Sequence, residues 1–193
     1  MGEVEGQIRS EELDAEQEAR RRAALALVRQ YPDPVLRMKA KEVGELDESV
    51  SDLVTRMTAL MDEARGVGLA APQVGILRRV LVFRTGEEEP LVALINPRLV
   101  SSGEELEVAD EGCLSLGAAS VVVEVERPTT VTVEGLDPTG EEVRIDAAGL
   151  QARVIQHELD HLDGILTIDR TTPEQRREAL GQLRPQPVLG PIG

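Results

Sequence analysis

The two histidines of this 193-residue chain, His157 and His161, stand four apart in "QHELDHLDG" (156–164), with Glu158 directly after the first. On a helix, positions i and i+4 share one face, so both imidazoles can aim at a single point. Two imidazoles so aimed, with a carboxylate beside them, make half of a metal clamp with a proton carrier attached. A pair of solvated helix-surface histidines would show the same spacing, so the other half has to be found. A catalytic metal takes three protein ligands and keeps one position open. The remaining soft donor is Cys113, in "EGCLSLG" (111–117), with Gly112 before it and a strand expected after it. A lone cysteine is often just a small buried hydrophobe. Here, however, all the histidine and cysteine of the chain falls in two short motifs, which favours Cys113 as the third ligand. Peptidases with this histidine spacing take a Glu or His downstream instead. The downstream carboxylates Asp163, Asp169, Glu174 and Glu178 lie too close along the chain or outside a matching helix pattern.

Several elements must hold these residues in place. "AAGLQARVIQHELDHLD" (147–163) reads as a helix closed by Gly164. Val50, Leu53, Val54, Met57, Leu60, Met61 and Ala64 recur at helical spacing and predict an amphipathic helix over 48–64. A last helix starts with Thr172 as N-cap and Pro173 at its first position. Residues 11–29 also favour helix, with acids leading and arginines following. Strand-like runs occupy 78–85, 91–96, 104–108, 121–126, 130–136 and 141–146, and "DPTG" at 137–140 is a turn. Short strands with short connections imply antiparallel pairing. The expected fold class is α+β, with antiparallel sheet segments packed around a central metal-binding helix. "YPDP" at 31–34 breaks any helix, because each proline removes a donor and restricts its predecessor. The expected organisation is an acidic N-terminal extension over 1–28, partly helical or disordered, a catalytic domain over 29–184, and a Pro/Gly-rich tail over 185–193.

Composition excludes several classes. There are 36 acidic against 21 basic residues, one Phe (Phe83), one Tyr (Tyr31) and no Trp. A nucleic-acid reader needs basic grooves or aromatic platforms, and this chain offers neither. A net charge of −15 also opposes stable contact with an anionic membrane. One cysteine permits no internal disulfide, and the N-terminus has no signal-peptide core, so a cytoplasmic location is expected. No apolar run is long enough to span a bilayer.

The motifs "GVGLAAPQ" (66–73), "EGCLS" (111–115) and "QHELDHLDG" (156–164), in that order, resemble those of the peptide deformylase family. The similarity runs from about Tyr31 to about Asp169. It implies that Cys113, His157 and His161 bind one divalent metal ion, commonly Fe(II), with Zn(II) or Ni(II) as substitutes. It implies that Glu158 acts as general base and then returns its proton to the departing amine. The oxyanion of the tetrahedral intermediate would be met by the Gln73 amide and the backbone N–H of Leu114. The implied substrate is the N-terminal formyl-methionine of newly made polypeptides, with formate released and a transient ribosome contact. Gly66 and Gly68, lacking Cβ, let the loop pass close to substrate. Leu150 and Val154 lie on the helix face of His157 and, with Val67 and Gly68, are expected to bind the methionine side chain; plain core packing is their other reading. Glu111 and Asp160 are candidates for orienting the ligands. Leu116-Gly117 follows Ser115 where the family often has proline, and the stretch from there to Arg127 is longer than usual.

A general endopeptidase is a rival reading, but its downstream ligand is missing. A binding protein that has lost catalysis is another, but every catalytic position is filled.

Overall fold

Two short strands, β1 (Glu3–Glu5) and β2 (Ile8–Ser10), pair antiparallel with each other and precede helix α1 (Ala15–Leu25). Then follow α2 (Glu48–Glu63), β3 (Gly68–Ala70), β4 (Val80–Phe83), β5 (Val92–Ser102), β6 (Leu106–Gly112) and β7 (Val122–Pro128). The chain continues through β8 (Thr130–Leu136), β9 (Glu142–Ala148), α3 (Gly149–Leu162) and α4 (Pro173–Gln182). The structure, a computed structural model, describes residues 3–5, 8–10, 14–86, 88–117 and 120–183. Five strands form one sheet in the order β3-β4-β5-β8-β9, and β6 and β7 form a separate ribbon. Every pairing between these strands is antiparallel. This is the α+β architecture expected, with α3 at its centre.

Strand β4 shows why the layers stack as they do. All four of its residues are buried, so both of its faces must be covered. Val80 and Val82 point into a cluster with Leu53, Met57, Leu60 and Met61 of α2. Leu81 and Phe83 point the other way, into a cluster with Val154, Ile155 and Leu162 of α3. Each such side chain contributes roughly 1.5–3 kcal/mol on full burial. A third cluster joins Leu36, Cys113, Leu116, Val123, Val125 and Ile168 under the β6–β7 ribbon. Leu114 belongs to the first cluster, Val67 to the second and Cys113 to the third, so the three cores meet at the motifs.

Three differences from the expected elements have physical causes. Strand β5 does not stop at Asn96; it continues to Ser102 through a register shift between Ile95 and Arg98. Pro97, which has no N–H to pair, sits within that irregularity, where proline is tolerated in a strand. Strand β3 lies inside the small-residue loop, because pairing with β4 supplies the ladder that Gly and Ala propensities do not favour. Finally, Ala24, Leu25 and Val28 are buried against α2, so the core draws on residues ahead of position 29. The tail expected at 185–193 lies outside the described residues. Among the described residues, no helix is long and apolar enough to cross a membrane.

Candidate active site

Helix α3 places His157 and His161 one turn apart, and both are almost fully buried. Their Nε2 atoms are 3.2 Å from each other, and His161 Nε2 is 3.3 Å from Cys113 Sγ. The donor atoms of Cys113, His157 and His161 all lie within 4.8 Å of one another. Around a tetrahedral zinc-like ion, two nitrogens would sit about 3.3 Å apart and a nitrogen and sulfur about 3.6 Å apart. The three donors therefore fit a metal ion closely. His157 Nδ1 is 3.0 Å from Glu111 Oε2. Donation of Nδ1–H to that carboxylate leaves the Nε2 lone pair aimed at the shared point.

Charge points the same way. Burial opposes a charge on His157, yet the Cys113 sulfur and the Glu111 and Glu158 carboxylates raise its pKa to about 10. His161 goes the other way: burial, then the neighbouring charge of His157, push it well below the usual histidine value. The sulfur and the carboxylates around the two imidazoles thus favour positive charge at this point. The same groups would favour a bound cation.

Strand β6 ends at Gly112, directly before Cys113, and β7 follows from Val122. A tight turn lies between them, closed by Leu116 N–H donating to the Cys113 carbonyl at 3.0 Å. That order matters, because β6 then delivers both Glu111 and Cys113 to the helix. Glu111 is fully buried and sits between two arginines. Arg127 grips it in bidentate fashion, Nε to Oε1 at 2.6 Å and Nη2 to Oε2 at 3.0 Å. Arg153, one turn before His157, donates from Nη1 to the same Oε1 at 2.9 Å. Burial would raise the Glu111 pKa, but bonds from His157 and Arg127 outweigh it and hold the carboxyl well below the usual range. Arg127 also donates to Asp160 at 2.9 Å, and Arg170 closes on the other side of Asp160.

The loop of the first motif brings the remaining groups. Ala70 N–H donates to Gln73 Oε1 at 2.9 Å, which fixes the amide's orientation. Its Nε2 is thereby turned inward, 3.1 Å from Ser115 Oγ and 3.9 Å from Cys113 Sγ. A Cβ on Gly66 would come within 2.9 Å of the Leu114 side chain. A Cβ on Gly68 would collide with the Glu158 carboxylate and come within 3.0 Å of Val154 Cγ1. The backbone at Gly68 and the carboxylate of Glu158 therefore face each other across a gap too small for a side chain.

The structure thus brings together Cys113, His157, His161, Glu158, Gln73 and Gly68, with Leu114 beside Cys113. Val67 and Val154 are buried in one cluster, and half-buried Leu150 packs against it. Leu116 is fully buried in the third cluster, and Gly117 takes a positive φ of 60°. Two arginines escaped sequence reasoning. Arg127 continues the inward alternation Val123, Val125, Arg127 of β7, an arginine on a core face. Arg153 stands four before His157, on the same helical face. Both signals could have been read.

A buried thiol and two imidazoles, a carboxylate against a glycine, and an oriented amide define a hydrolase of amide bonds built around a metal centre. The chain belongs to the polypeptide deformylase family, whose model matches residues 25–177. It is 48% identical over 155 residues to the peptide deformylase of Natranaerobius thermophilus, covering 80% of this chain and 97% of that one. The crystal structure of peptide deformylase from Thermotoga maritima superposes with a TM-score of 0.72 at 45% identity, covering 76% of this chain and 97% of that one. A peptide deformylase from Legionella pneumophila gives 0.76 at 39% identity, covering 81% and 91%. The activity is that of the family: hydrolysis of the formyl amide at the N-terminus of polypeptides.

Proposed function

We propose that Cys113, His157 and His161 hold one divalent metal ion, Fe(II) in the native protein, and that the site around it removes formate from N-terminal formyl-methionine. The observation that carries this reading is the convergence of the three donors to within 4.8 Å beside the buried Glu158. When bound, a divalent ion lowers the pKa of water from 15.7 toward about 7 and polarises a carbonyl oxygen. Everything else is done by the chain itself.

Glu158 takes the proton of the attacking water and delivers it to the departing amine. The Gln73 NH2, with its orientation set by Ala70, and the Leu114 N–H meet the oxygen where negative charge develops. The bare backbone of Gly68 lets a peptide lie against Glu158 without a side chain in between. Val67, Leu150 and Val154 line the slot for the methionine side chain. Glu111 fixes the tautomer of His157. A formyl carbon carries only hydrogen, so the narrow approach at Gly68 favours it over bulkier acyl groups. Nascent peptides as substrate go with a cytoplasmic setting and a transient ribosome contact.

The test is formate release from formyl-Met-Ala-Ser under anaerobic conditions, with acetyl-Met-Ala-Ser as competitor. Formate from the formyl peptide is expected, with no acetate from the acetyl peptide. Comparable hydrolysis of the acetyl peptide would mean that the site is a general amidase, and no release from either would sink the reading.

A further inference from the structure

Three consecutive residues outside the motifs reach across to both segments that carry the oxyanion donors. Arg29 N–H donates to the Gln73 carbonyl at 2.7 Å. The Gln30 side-chain Nε2 donates to the Leu114 carbonyl at 2.8 Å. Tyr31 N–H donates to the Ser115 carbonyl at 2.9 Å. The segment is anchored at its own start, where Gln30 Nε2 also reaches the Val28 carbonyl at 3.3 Å and Val28 sits in the core. One short stretch therefore spans the turn of the first motif and the turn after Cys113.

The geometry has a consequence for the Leu114 N–H. Between the N–H and C=O of one residue the backbone has only two soft dihedrals. A carbonyl pinned in place limits how far the N–H of the same residue can swing. Of the three clasping bonds, only the one to Leu114 comes from a side chain. The other two are backbone bonds that persist whatever occupies position 30.

We propose that Gln30 is a positioning residue for the oxyanion hole, holding the Leu114 N–H in line with the Gln73 amide. The proposal rests on the reading of Gln73 and Leu114 as the oxyanion donors. It makes the approach to "YPDP" part of the catalytic apparatus, acting through the Leu114 carbonyl.

The test uses full-length, metal-loaded protein and four variants. Gln30→Met removes the donor at nearly constant volume. Gln30→Glu is isosteric and, when ionised, has no proton to give. Gln30→His restores an N–H at similar reach. Gln73→Met reports on the hole itself. Losing an oxyanion donor outright costs about 10²–10³-fold in kcat, and a misaligned donor is expected to cost about tenfold. Gln30→Met and Gln30→Glu should lower kcat about tenfold, with KM and metal content unchanged, since the interaction belongs to the transition state. A phosphinate analogue of the tetrahedral intermediate should bind weaker by the same factor, while the product Met-Ala-Ser binds as before. Gln30→His should recover most of the loss. Wild-type kcat and analogue affinity in both donorless variants, alongside a hundredfold loss in Gln73→Met, would overturn the proposal and leave the oxyanion reading standing. A loss confined to KM or metal content would also overturn it. Wild-type kcat in Gln73→Met would remove the oxyanion reading and this proposal together.

Discussion

Glu158 and Gly68 form a pair in which each explains the other. The carboxylate is buried beside the ligands, and the glycine leaves it room. Glu158→Gln keeps the shape and the three donors but removes the proposed base. We expect full metal content and a turnover at least about 10²-fold lower; loss of the metal, or near-normal turnover, would refute the role. Gly68→Ala drives a methyl into the Glu158 carboxylate, so kcat should fall while metal content holds. Normal kinetics in that variant would show that the carboxylate moves aside at no cost. At this scale the sequence was informative where residue types are rare. Two histidines and one cysteine leave little choice of ligand. Gln30 is invisible by the same logic, because an unremarkable glutamine acquires its role only from a carbonyl 84 residues away.

The joint between the β6–β7 ribbon and α3 is the element on which the centre depends. Arg153 extends from α3 to the Val125 carbonyl at 3.0 Å and the Glu107 carbonyl at 2.9 Å, so it touches both strands of the ribbon. With Arg127 it surrounds Glu111, and Glu111 in turn orients His157. Glu111→Gln keeps the volume but removes the charge that two buried arginines share. We expect metal affinity to fall about 10–100-fold, read by competition with a chelator. An unchanged affinity would show that the carboxylate serves packing alone. Periodicity revealed α2 nearly to the residue, since it has one buried face, whereas α3 is buried on almost every side and was bounded by its motif and Gly164. It missed β3, whose Gly-Leu-Ala has no strand pattern, and ended β5 early at Pro97. In both cases a neighbouring strand overrides the local preference.

For the molecule as a whole, the three cores explain how much of the fold was legible. Two of them are built from periodic aliphatic faces, whereas the third, under the ribbon, gathers residues scattered from Leu36 to Ala179. Asp169 helps to close that third region, accepting bonds from Arg37, Arg176 and the Leu166 N–H. Burial raises its pKa, but Arg37, Leu166 and Arg176 outweigh this and hold it below 3.8. A carboxyl whose pKa falls on folding stabilises the fold above its unfolded value and loses that contribution as pH drops through the folded one. Asp169→Asn should therefore lower the urea midpoint at pH 7, with the gap to the parent narrowing as pH falls below the ordinary aspartate range; a gap that does not change with pH would reject the linkage. Removal of the metal should lower Tm as well. Cys113 and His161 are separated by 48 residues, and β7, β8 and β9 lie between them. An ion joining them is a cross-link in the polymer sense, worth roughly 4 kcal/mol by the loop-entropy relation used for disulfides of that span. Identical melting of the apo and loaded forms would contradict it. A cross-link of that reach is costly to close before the intervening sheet is built, so we expect the ion to be captured late rather than to seed folding. The ion would act as a latch closed last, and its capture would mark a chain that has finished folding.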